Sequence, residues 1–291
     1  ELATRNLGQD LPILLNYLPS VVTTSDAGAG VGYTGIRVRG VSAQSTNITI
    51  NGIPYNDAES LGTFWVDLPD FASSVESLQL QRGVGTSTNG SGAFGASINI
   101  LTDAILKDSQ AEISNTFGSY NTLKHNLKFS TGLLKNNIEI SGRLSQIKSD
   151  GYIDRAESDL KSYFLQGAYS DENTLIKMLA FGGHEITYQA WNGIDAETLK
   201  NSRTFNPSGI YTDDDGTIKF HENEVDNYKQ DHYQLHWNQK INNYWSARIG
   251  LNYTYGRGYF EQYKENQSFS DYDLNDLIIG DTTINETDLI R

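Results

Sequence analysis

The chain has 291 residues, of which 37% are hydrophobic and 11% aromatic, with 17 Tyr, 27 Gly, no Cys and a formal charge of −14. Its low hydrophobic share disfavours an ordinary packed core, and its apolar runs are too short for a transmembrane helix. The missing Cys exclude a disulfide framework and thiolate chemistry, and the acidic balance argues against nucleic acid as a partner. Many Tyr and Gly with little bulk hydrophobicity fit strands that keep one face on water or on a polar lumen.

Leu7, Leu11, Leu14, Leu15 and Leu18 recur at helical spacing, with Asp10 as cap, Pro12 in the first turn and Pro19 as stop. They predict a short helix packed on a sheet. Ser20 to Thr34 reads as a Gly-rich loop. Its GxG spacing is not a dinucleotide fingerprint, because a helix precedes it and a strand follows. Ile36 to Gly40 is that strand, with Ile36 and Val38 on one face and Arg37 and Arg39 on the other. Thr46 to Ile50 is a second strand, closed by the tight turn Asn51-Gly52. Tyr55 to Trp65 reads as a polar loop, followed by a second short helix at about 68–74. Val75 to Arg82 and Ala96 to Leu101 are strands, and between them Gly83 to Gly95 is a run rich in Gly, Ser and Thr. Small polar residues bury too little apolar area to order themselves, so this run must be held by what surrounds it.

Seven later segments alternate with period two, apolar against polar, as barrel strands do. In chain order they run over about 111–117, 123–130, 138–145, 162–170, 175–183, 232–241 and 245–254. In the fifth, Leu175, Leu179 and Phe181 share the apolar face. Glu139, Arg143 and Arg248 sit mid-strand on the polar face. A charge facing lipid costs roughly 2–4 kcal/mol, so the polar face must be wet or packed on another part of the protein. A soluble sandwich has the opposite geometry, polar face out and apolar face in a core. Alternation alone does not separate the two; the connections do. Short turns near 134–136, 171–173 and 242–243 alternate with longer loops near Asp150, from Glu185 to Lys229 and after Gly258. Short turns on one side and long loops on the other belong to outer-membrane barrels.

Three motifs carry a resemblance: GIRVRG (Gly35 to Gly40), ITINGIPY (Ile48 to Tyr55) and VESLQLQRGVGTSTNGSGAFGASINI (Val75 to Ile100). In order and spacing they resemble the plug domain of TonB-dependent outer-membrane receptors, closest to the iron-complex and siderophore branch. The resemblance implies an α+β plug domain inside a transmembrane antiparallel β-barrel of about 22 strands, of which this chain supplies about seven. It divides the chain into a plug over residues 1–102 and an N-terminal portion of the barrel over 103–291. The implied function is active import of a ferric siderophore or similar metal chelate across the outer membrane of a Gram-negative bacterium, with no catalysis and no cofactor. Vitamin B12, haem or oligosaccharide are alternative cargoes, and a non-transporting surface binding or adhesion protein is the alternative class. The implied partners are the TonB energy-coupling complex, the metal chelate and outer-membrane lipid, with a surface lipoprotein as a further candidate.

The resemblance also marks residues. Arg39 and Arg82, and with them Arg37, are expected to latch the plug to carboxylates of the barrel wall. Gly83 to Gly95 is expected to cross the lumen. Ligand contacts are expected from the outward plug loops, on Tyr33, Tyr55, Asn56, Asp57, Glu59, Phe64 and Trp65. No metal site is expected. His232 and His236 share a lumen face but lie too far apart along a strand to chelate one ion. Asp213, Asp215, Gly216 and Glu222 match part of a calcium loop, but Tyr211 takes its first ligand position, so an acidic solvated loop is the better reading.

Overall fold

The computed structural model describes residues 2–84, 94–135 and 137–290. The chain opens with helices α1 (Leu2–Arg5) and α2 (Leu11–Leu14). Strands β1 (Val21–Ser25) and β2 (Thr34–Val38) form an antiparallel ribbon with Val21 opposite Val38. Strands β3 (Thr46–Ile50), β4 (Ile53–Pro54), β5 (Val75–Arg82) and β6 (Ala96–Thr102) form a sheet of order β4-β3-β6-β5, in which β3 and β6 are parallel. The central pair alternates: Ile48, Ile50, Ile98 and Ile100 are buried on one face, while Thr49 donates to Asn99 on the other. Leu11, Leu14 and Leu15 of the leucine stripe pack into the same core.

Three local expectations change. The stripe yields one helical turn instead of three, because Asp10 does not cap it: its carboxylate accepts from Thr34 Oγ1 at 3.0 Å, and Leu7 stays exposed. The helix expected at 68–74 is two 3₁₀ pieces, Trp65–Asp67 and Phe71–Ser74. Pro69 bars its predecessor from the helical region, and Asp70 then adopts φ 52°, ψ 25°. Val21 to Ser25, placed in a loop by its Gly-rich surroundings, is a strand because β2 supplies its hydrogen bonds.

The wall is a seven-stranded antiparallel meander. It comprises β7 (Gln110–Phe117), β8 (Leu123–Ser130), β9 (Ile138–Ser149), β10 (Ser158–Ser170) and β11 (Thr174–Tyr188), then β14 (Val225–Lys240) and β15 (Ser246–Phe260), paired in that order. Each matches a segment expected from alternation. The apolar face points away from the plug: Ile113, Phe117, Leu127, Ile140, Leu144 and Leu165 are exposed. The polar face carries Lys124, Glu139, Arg143 and Gln166, all buried against the plug side. This is a sandwich turned inside out, and it is the geometry of a wall facing lipid.

Strand β11 departs from the expected phase. Leu179 and Phe181 point inward, 3% and 1% exposed, while Met178 points out at 60%. Pairing decides this, since Phe181 lies opposite the inward Phe164. The two rings close on Phe71 of the plug, with centroids 5.3 and 6.4 Å from it. The long loop is shorter than expected, because β11 and β14 run on to Tyr188 and from Val225. It holds α3 (Ala196–Asn201) and the hairpin β12 (Ile210–Thr212) and β13 (Ile218–Phe220). Asp213 sits in that hairpin's turn, where it accepts from Thr217 N and pairs with Lys219. After β15 come β16 (Tyr263–Ser268), β17 (Leu277–Ile279), β18 (Thr282–Ile284) and β19 (Glu286–Ile290), paired β16-β19 and β17-β18.

Candidate functional site

The tips of the plug lie at the long-loop end of the wall. Ala27 O accepts from Tyr152 N at 2.7 Å and Ile153 N at 3.2 Å, which joins the 26–33 loop to the loop after β9. Tyr33 packs edge-on against Trp191 at 5.3 Å and donates to Asp226 Oδ2 and Glu185 Oε1. Burial, then Glu185, push the Tyr33 phenol well above its usual range, so it stays a donor. Tyr33 thus touches an outer loop and two wall strands at once.

The 55–65 loop divides by role. Asn56 is consumed by the backbone: Oδ1 accepts from Ile48 N at 2.7 Å, and Nδ2 donates to Thr46 O and Leu61 O. Asp57 caps the loop tip by accepting from Glu59 N and Ser60 N, and these bonds lower its carboxyl. Glu59 and Phe64 are exposed. Trp65 is not available to a ligand. It is 3% exposed and lies in the plug core, so its expected contact role is corrected: the 3₁₀ turn that begins there rotates the indole inward. Tyr55 also packs on that core, and it donates to Gln230 Oε1 at 3.2 Å.

Below the loop, a cavity of about 270 Å³ separates plug from wall. Tyr55, Asp57, Phe64 and Asp67 line it from the plug, and His232 and Gln234 from the wall. Among the described residues, no Lys or Arg lines it. Asp67 is buried beside Asp226 and Asp57; burial first, then these two charges, push its carboxyl up to about 7. No group of three or more His, Asp or Glu stands ready to hold a metal ion among the described residues.

The expected latch arginines are exposed at the other end of the plug. Arg82 Nη1 donates to Pro19 O at 3.3 Å, and Arg39 leans over Gly83. None of Arg37, Arg39 and Arg82 forms an ion pair with a described residue. The run expected to cross the lumen lies outside the described residues from 85 to 93.

A contact of opposite polarity holds the plug on the described side. Asp70, 3% exposed, accepts from Lys124 Nζ on Oδ1 at 2.6 Å, and from Asn126 Nδ2 and Ser145 Oγ on Oδ2 at 2.6 and 2.7 Å. Arg143 Nη1 stands 3.3 Å away, while its Nε donates to Ser74 Oγ at 2.8 Å. Burial alone would raise the Asp70 carboxyl, but Arg143 and Lys124 outweigh it and hold it well below the usual carboxylate range. Ser162 Oγ donates to Pro69 O at 2.6 Å, and Lys128 Nζ to Ser73 O at 3.1 Å. Sequence reasoning missed Asp70. The signal was indirect: Lys124 and Arg143 on the lumen face required an anion opposite.

Comparison with known proteins agrees with this architecture. Residues 1–97 match the family model described as TonB-dependent Receptor Plug Domain. The vitamin B12 transporter BtuB of Vibrio vulnificus (strain YJ016) is 31% identical over 140 residues, which are 48% of this chain and 22% of that protein. Among solved structures, the unliganded ferric citrate transporter FecA gives a TM-score of 0.67 at 16% identity, covering 89% of this chain and 39% of that one. FpvA of P. aeruginosa, bound to a heterologous pyoverdine and Fe, gives 0.67 at 13% identity, covering 90% and 34%. The copper transporter OprC gives 0.64 at 14% identity, covering 89% and 37%. The match thus spans about a fifth of BtuB's own length, and this chain covers little over a third of the solved receptors. With the plug motif, the inside-out wall and the plug-to-wall contacts in one chain, residues 1–97 belong to the TonB-dependent receptor plug domains, and the wall that follows has the fold of these receptors of the Gram-negative outer membrane.

Proposed function

We propose that this chain is the plug (1–102) and the first wall strands (103–291) of an importer that carries a ferric siderophore or similar metal chelate across the outer membrane. Ligand binds between the plug tips and the outer loops, with Tyr33, Asp57, Glu59 and Phe64 among its neighbours. The TonB energy-coupling complex then pulls on the N-terminal side, and the plug rearranges to open a path. Arg39 and Arg82, with Arg37, latch the plug to wall carboxylates beyond the described strands, and outer-membrane lipid covers the apolar face. One observation carries this reading above the others: beside the Phe71–Phe164–Phe181 cluster, the plug meets the wall through side-chain hydrogen bonds of neutral groups, such as Ser162 to Pro69 O and Tyr55 to Gln230, which separate and re-form more readily than a packed apolar interface. The similar structures named for ferric citrate and for pyoverdine support a chelate as cargo. The 31% identity to a vitamin B12 transporter supports a corrinoid as the second reading.

The test is uptake by cells with and without the gene. ⁵⁵Fe-labelled hydroxamate, catecholate and citrate chelates and labelled cobalamin are offered in turn. Loss of one iron chelate on deletion, restored by the gene, is the expected result. Loss of cobalamin alone would replace the cargo, and no change with any probe would sink the transport reading.

A further inference from the structure

Two kinds of contact meet at Asp70. The first ties it to β8 and β9 through Lys124, Asn126, Arg143 and Ser145, and the same strands with β10 hold Pro69, Ser73 and Ser74. The second ties it to the start of the chain. Asn6 Nδ2 donates to Asp70 Oδ1 at 3.0 Å and to Ser73 Oγ at 2.9 Å. Gly8, at φ +113°, lays its backbone on the Lys124 side chain, where an added Cβ would stand 3.5 Å from Lys124 Cβ. The N-terminal segment therefore lies over the ion pair like a cover.

The two kinds of contact differ in how easily they part. Separating a buried carboxylate from its cations strands charge in a low dielectric. Asn6 is neutral, and it exchanges its bonds for water at little net cost. Asp10, which ends the cover, also leaves without stranding a cation: its carboxylate accepts from the Thr34 hydroxyl, and burial pushes it toward the neutral form.

We infer that Asp70 is a positioning residue that fixes residues 69–74 to the wall, and that Asn6 is the contact released when the N-terminal segment is drawn away. Residues 2–10 leave first and the Asp70 ion pairs stay closed. This rests on the transport reading, in which force reaches the plug from its N-terminal side.

This chain has no Cys, and any Cys elsewhere in the full-length receptor is replaced by Ser, so that single cysteines report cleanly. Asn6→Cys and Ser74→Cys are placed separately in the full-length receptor and labelled with a maleimide in cells, energised or treated with a protonophore. Position 6 is expected to react roughly fivefold faster or more in energised cells, while position 74 stays protected in both states. Position 74 reacting as fast as position 6 overturns the proposal, and so does an unchanged rate at position 6. Asp70→Asn in the Ser74→Cys background keeps the shape but removes the charge. Energised labelling at 74 should then rise roughly fivefold or more, with heat-modified barrel mobility unchanged; continued protection shows that Asp70 does not fix the segment. A receptor that imports none of the four uptake probes counts against the transport reading alone, because the labelling is read without cargo.

Discussion

Asp70 and Asp67 lie three residues apart and are driven in opposite directions. Asp70 faces Lys124 and Arg143 and stays ionised, whereas Asp67 is buried beside other carboxylates and gains a proton. Asp70→Ala leaves both cations buried without their anion, which costs about 3–5 kcal/mol. The expected outcome is a lower urea midpoint for plug unfolding in the detergent-purified receptor, read by protease sensitivity, with a much smaller loss when Lys124→Met is added. For Asp67 the sign is reversed. Its folded value of about 7 lies above the unfolded value of about 4. The folded plug therefore holds the proton across that window, and its stability falls as pH rises from about 4 to about 7, then levels off. Asp67→Asn should flatten that slope in urea midpoints taken across the range; a slope unchanged by the substitution would mean that another group titrates.

Among the elements, strand β11 is the most informative, because its phase was the one misread. Leu175, Leu179 and Phe181 look like a lipid face only when β11 is read alone. Pairing with β10 sets Phe181 against Phe164, and Phe71 then supplies an apolar partner from the plug. The same strand accommodates the plug backbone at Gly183. A Cβ there would stand 2.6 Å from Asp67 O and 2.6 Å from the Pro69 ring, neither of which can swing away. Gly183→Val should leave barrel assembly intact by heat-modified mobility and expose the plug to protease. A protected plug would show that the 67–69 segment has room to shift. The helix expected from the leucine stripe fails for a different reason: one turn suffices to bury Leu11 and Leu14, and Asp10 serves Thr34 instead of the helix end.

At the scale of the whole molecule, the wall places its apolar side chains outward and its charges on the plug. That arrangement predicts opposite responses at neighbouring positions of β9. Leu144, 58% exposed on the outer face, should cost roughly 2–4 kcal/mol when replaced by Lys, measured as folding into lipid vesicles. A neutral result would place Leu144 in water or in a protein contact instead of lipid. Arg143, one residue earlier and buried, is tolerated because Asp70 and Ser74 answer it.

The period-two alternation determined the seven wall strands and the face that each presents, with β11 the exception, whereas their pairing order came from the structure. Alternation is a local property, because successive side chains of a strand point to opposite sides whatever lies beyond them. The plug strands β2, β3, β5 and β6 were legible for the same reason, and the family from three short motifs. What pairs across space was not legible. Lys124 and Arg143 announced a buried anion, but nothing along the chain distinguishes Asp70 from Asp67 or Asp57 as that anion. Trp65 and Phe64 are adjacent aromatics in a polar loop, and only the 3₁₀ turn sends one into the core and leaves the other outside. These choices belong to the tertiary structure, since burial and charge neutralisation depend on partners tens of residues away and leave no periodic trace in the sequence.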